Sequence, residues 1–97
     1  MKIGFFELEG WEEKLLKEEF SRDELTFSSE KIDEENIPSE TGFEILSVFI
    51  DSKINRTVLD RFPHLKFIST RSTGFEHIEL EECGIRKIPV SFVPGYA

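Results

Sequence analysis

The run Phe43-Glu-Ile-Leu-Ser-Val-Phe-Ile50 constrains the fold more than any other feature of this chain, because it is apolar on both faces. A strand with one buried face alternates apolar and polar residues, whereas one that is apolar on both sides belongs inside a parallel sheet covered on each side. The flanking sequence supports that reading. Ile3 to Leu8 is a short aromatic strand, Glu9-Gly10 is a break, and Trp11, Leu15, Leu16 and Phe20 recur at helical spacing over Trp11 to Phe20. Leu25 to Ser28 is a weaker strand, and the acidic stretch Ser29 to Ser39, with Pro38, holds at most a helical turn.

Beyond the central run, Asp51 to Asn55 leads into a helix over Arg56 to Phe62 that Pro63 ends. Leu65 to Thr70 is a strand, Glu79 to Cys83 a short helix with Gly84 at its carboxyl end, and Val90 to Val93 the last strand. Strands alternating with helices imply parallel pairing through right-handed crossovers, hence an α/β fold of flavodoxin-like or Rossmann-like type. Only Pro-Gly-Tyr-Ala follows Val93, so one side of the sheet is expected to lack a covering helix. An apolar strip left open marks a contact site, and a homodimer is expected through that face, with Ile3, Phe5 or Trp11 partly buried between subunits.

The 97 residues provide for one domain, residues 1–97, and the ten phenylalanines can supply a core. A formal net charge of −8 argues against nucleic acid and anionic membranes, which are bound through Lys and Arg. A small carboxylate stays open, because clustered backbone N–H groups can hold one against an unfavourable mean field. Cys83 is the one cysteine, so no intrachain disulfide forms and a reducing compartment fits. Without a basic leader or a long apolar run, the expected location is cytoplasmic.

In open parallel sheets ligands lie beyond the carboxyl ends of the strands, where Arg71-Ser-Thr-Gly-Phe75 follows the Leu65–Thr70 strand. Gly74 can adopt positive φ, so the amides of Thr73, Gly74 and Phe75 could converge on one anion, although a glycine in such a turn also serves merely to reverse the chain. Other groupings are weaker. His77 with Glu76 and Glu79 reads as a solvated helix start, and no metal is expected. Ser69, Ser72 and His77 lack a nucleophile elbow. Cys83 reads as a small buried residue.

Three stretches, Ile45 to Ile54, Leu65 to Ile78 and Val90 to Tyr96, resemble the amino-terminal half of the D-isomer-specific 2-hydroxyacid dehydrogenases, the D-lactate dehydrogenase branch in particular. The resemblance implies a flavodoxin-like catalytic, or substrate, domain: a five-stranded parallel sheet of order 2-1-3-4-5 flanked by helices, without the last covering helix. It further implies that the Thr73 and Gly74 amides hold the substrate carboxylate, that Phe49 walls the pocket and that Tyr96 borders it at a hinge. The family's catalytic Arg, Glu and His and its NAD-binding loop would follow Ala97, so no catalytic and no cofactor residue is expected in this chain. NAD belongs to the full-length family. The family usually carries Asp where this chain has Glu76 and Glu79, which implies a drifted loop.

The expected function is thus the substrate half of an NAD-dependent D-2-hydroxyacid dehydrogenase, inactive alone. The alternative is a stand-alone flavodoxin-like module that self-associates or binds a small carboxylate without catalysis.

Overall fold

The structure, a computed structural model, describes residues 1–72, 74 and 76–92. The element order is β1 (Lys2–Phe5), α1 (Gly10–Glu19), β2 (Glu24–Phe27), β3 (Ile45–Val48), α2 (Arg56–Leu59), β4 (Phe67–Thr70), α3 (Leu80–Ile85) and β5 (Val90–Phe92). All strand pairs are parallel, and the order is β2-β1-β3-β4-β5, the flavodoxin-like arrangement expected. The Ser29–Ser39 stretch holds no helix and is pinned instead by an antiparallel bridge between Asp33 and Asn36.

Period-2 alternation divides the sheet's side chains between two faces. On one face Gly4, Leu46, Ile68 and Val90 stand in register. Leu46 and Ile68 join Val48, Phe43, Ile32 and Ile54 in the main core, closed by Val58, Leu59 and Phe62 around α2 and by Cys83 of α3. Gly4 is required here: a Cβ would come 2.7 Å from the Phe6 ring and 3.1 Å from Phe43, whose rings meet edge to face. Cys83 is buried, and desolvation pushes its thiol above the ordinary range, in keeping with a packing role.

The opposite face carries a smaller cluster of Ile3, Phe5 and Leu8, with Leu16, Phe20, Leu25, Phe27 and Ile45 packed against it. Phe5 stacks on Phe27 at 5.6 Å between ring centroids. Two sequence expectations change here. Ile3 and Phe5 are buried within the chain by this cluster, so neither is available to a partner. Trp11 and Leu15 point outward at 66% and 58% exposure, because only Leu16 of α1 and Phe20 just beyond it pack against this cluster. Further along this face one register row runs Phe5, Ser47, Ser69 and Ser91 and its neighbour runs Ile3, Ile45 and Phe67, so the strip beyond α1 mixes polar and apolar residues.

The helix ends differ from expectation as well: α2 stops at Leu59 and does not run on to Phe62. Asn55 caps α2 by accepting the Val58 N–H at 3.0 Å, as its residue type implies. Gly84 does not end α3, which continues to Ile85, and the left-handed residue is Lys87 at φ 59°. That turn closes with the Ile88 amide donating to the Cys83 carbonyl.

Candidate substrate loop at the carboxyl end of the sheet

The strand order reverses between β1 and β3, so the topological switch point, where open α/β sheets bind ligands, lies at their carboxyl ends. An open groove of about 280 Å³ sits there, lined by Glu7, Glu9, Trp11, Glu12, Phe49 and Arg71. Phe49 follows β3 directly and is 40% exposed, a pocket-wall position rather than a core one. The loop after β4 borders the same end.

Arg71 ties that end together. Its backbone N–H extends the sheet by donating to the Val48 carbonyl at 2.8 Å. Its guanidinium donates to Ser47 Oγ at 2.8 Å and to the carbonyls of Phe6 and Glu7, the latter at 3.0 Å. Burial holds the guanidinium below its usual range, against the opposing pull of Glu12 and Glu7. The cation therefore fastens three strand ends, and much of its donor capacity is taken up within the chain.

Glu7 is a residue that sequence reasoning missed. Its carboxylate accepts the amides of Phe49 (2.8 Å), Asp51 (2.9 Å) and Ser52 (3.1 Å) and the Ser52 hydroxyl (2.6 Å). Its backbone is left-handed at φ 57°. A carboxylate from the β1 loop thus fills the nest of N–H groups after β3 and fixes the backbone that carries Phe49. The available signal was an acid placed directly after an apolar strand end, at a switch point.

Ser72 and Gly74, in the loop after β4, are pegged by a second network. Thr70 Oγ1 lies 2.8 Å from both Ser72 Oγ and His77 Nε2, and the Ser72 hydroxyl donates to the Gly74 carbonyl at 2.8 Å. Thr70 and Ser72 are buried and Gly74 is half-buried. A Cβ on Gly74 would meet only the flexible end of Glu76, at 2.9 Å, so space alone does not demand glycine there. Thr73 and Tyr96, the other expected substrate contacts, lie outside the described residues.

His77 departs from the expected solvated cluster: it is half-buried, bonded to Thr70, and desolvation lowers its pKa against the pull of Glu7 and Glu76. Glu79 does not cap its own helix. Its longer side chain reaches across to accept the Arg56 amide of α2 at 2.8 Å. Among the described residues no group of three or more metal-ligating side chains gathers, and no helix is long and apolar enough to cross a membrane.

Sheet order and strand pairing define a doubly wound α/β fold of flavodoxin-like order, with an open groove at its switch point. The sequence profile of the "D-isomer specific 2-hydroxyacid dehydrogenase, catalytic domain" matches residues 7–97, and the chain belongs to that family. It is 42% identical over 52 residues to the glyoxylate reductase of Thermofilum pendens, covering 54% of this chain and 15% of that protein. It is 37% identical over 62 residues to the glycerate dehydrogenase of Hyphomicrobium methylovorum, covering 63% and 19%. Among solved structures, D-lactate dehydrogenase of Aquifex aeolicus, complexed with NAD and lactic acid, superposes with TM-score 0.84 at 28% identity, over 98% of this chain and 28% of that one. The apo D-lactate dehydrogenase of Escherichia coli gives TM-score 0.84 at 25% identity, over 100% and 32%. The chain thus spans less than a third of each of these relatives.

Proposed function

We propose that residues 1–97 are the substrate-binding half of an NAD-dependent D-2-hydroxyacid dehydrogenase, and that they do not transfer hydride alone. The substrate class is a small 2-oxo or 2-hydroxy acid. Its carboxylate is held by the amides of Thr73 and Gly74, Phe49 walls the pocket, and Tyr96 borders it. The observation that carries this reading is the loop after β4, pegged at Ser72 and Gly74 beside the switch-point groove that Phe49 lines. The Aquifex relative, with its lactic acid, supports the substrate class.

The residues present do not fit a dinucleotide. A pyrophosphate needs a glycine-rich first turn before a helix. Here the turn after β1 presents Glu7 and Glu9, with Glu12 in the first turn of α1, and the Glu7 carboxylate already occupies the nearby amides. Hydride transfer in this reading therefore draws its NAD site from other polypeptide, and hydride donor and acceptor must be brought to near-attack distance there. Steady-state assays of the 97-residue chain with NADH and pyruvate, glyoxylate or hydroxypyruvate are expected to show no turnover. Turnover would refute the proposal.

A second reading, self-association, is favoured by the exposed pair Trp11 and Leu15, one turn apart on α1. Light scattering at micromolar concentration separates the two, since a monodisperse monomer removes the homodimer. A cytoplasmic setting accords with either reading.

A further inference from the structure

The network behind Gly74 has a direction that hydrogen-bond chemistry fixes. The Gly74 carbonyl can only accept, so the single hydroxyl proton of Ser72 is committed to it. The contact between Thr70 Oγ1 and Ser72 Oγ must then be made with the Thr70 proton. Having given up its proton, Thr70 Oγ1 can only accept from His77, so His77 must carry hydrogen on Nε2. Burial lowers the pKa of the His77 ring, which keeps it neutral near pH 7 with one N–H to place.

We propose that His77 is a positioning residue for the substrate loop: its Nε2–H starts a one-way chain through Thr70 and Ser72 that holds the Gly74 carbonyl turned inward. With Thr70 and Ser72 both buried, water cannot easily substitute for a lost link. His77 sits on the segment entering α3 and its own carbonyl accepts the Ile54 amide at 2.9 Å, so the ring is anchored through its backbone independently of the loop. It touches no reacting atom. Its effect passes to a ligand through the orientation of Gly74, and that consequence rests on the proposed reading of the loop as the carboxylate site.

Three readouts test it on the full chain. In a ¹⁵N-labelled sample at about pH 7.5, the histidine long-range ¹H–¹⁵N spectrum is expected to show His77 protonated on Nε2; an Nδ1-protonated ring would overturn the proposal. The Gly74 carbonyl ¹³C resonance is expected to move upfield in His77→Ala and to return in His77→Gln, which restores a donor; an unmoved resonance in His77→Ala would also overturn it. With oxamate as the probe, His77→Ala is expected to weaken binding about tenfold and His77→Gln to recover it to within about twofold. Equal affinity in all three forms counts against the proposal. If the parent chain binds no oxamate, the carboxylate reading fails while the tautomer and carbonyl readouts still decide the role of His77.

Discussion

Replacing Glu7 is the sharpest perturbation of this fold that leaves its core untouched. The Glu7 carboxylate accepts four hydrogen bonds, at 2.8, 2.9, 3.1 and 2.6 Å. The first two come from exposed Phe49 and Asp51, whose amides return to water at about 0.5 kcal/mol each. The other two come from Ser52, which is 0% exposed, and its hydroxyl and amide lose a charged acceptor where water does not replace it. At roughly 1–1.5 kcal/mol each, Glu7→Ala should cost about 3 kcal/mol in all. The left-handed backbone at φ 57° adds an internal control. Alanine is strained there and glycine is not, so Glu7→Gly should lose the same bonds yet be about 1 kcal/mol more stable than Glu7→Ala. For a domain of this size the alanine variant should melt roughly 12–24 °C lower. Urea unfolding followed by circular dichroism measures both differences. An alanine variant within about 1 kcal/mol of the parent, or a glycine variant less stable than alanine, would refute the role assigned to Glu7.

Other outcomes follow from the same geometry. Arg71→Lys should cost about 2 kcal/mol by denaturant titration, because one ammonium cannot replace a fork that reaches Ser47, Phe6 and Glu7 at once. Glu79→Asp should destabilise the chain by about 1 kcal/mol although Asp is the better cap in general, since the shorter carboxylate no longer reaches the Arg56 amide; Glu79→Gln should be close to neutral. Leu46→Ala, at a position fully buried in the main core, should cost about 3 kcal/mol. The Glu82 carboxyl is held below its ordinary value first by Arg86 and then by Arg56, so its contribution is complete above the unfolded-state value of 4.5 and is lost as pH falls through the lower folded value. Acid unfolding of Glu82→Gln should therefore be less steep below that point than that of the parent.

The strand succession was legible because buried parallel strands carry their signal locally: Phe43 to Ile50 reads as a central strand without knowledge of its neighbours. The start of α2 after Asn55 was legible for the same reason, as a cap acts within one turn. What the sequence concealed depends on neighbours distant along the chain. The stripe Trp11, Leu15, Leu16 and Phe20 has helical period, yet only the sheet's shape decides that Leu16 and Phe20 are seated and the other two are not. Glu79 resembles an imperfect cap for α3 until its reach to Arg56, 23 positions earlier, is seen. Glu7 is one acid among many in sequence, and its partners lie 42 to 45 residues away. At the candidate site, Phe49 was placed at a strand end from sequence and stands exposed there, whereas the peg from His77 through Thr70 to Gly74 requires the turn to fold back on β4.

The carboxylate site proposed at the loop after β4 is tested by an amide-resolved NMR titration of the chain with oxamate. Saturable shifts are expected, concentrated at Ser72 to Glu76 and at Phe49, with the β2 edge of the sheet unchanged. Saturable shifts centred elsewhere, or a spectrum that does not move at millimolar oxamate, would contradict it.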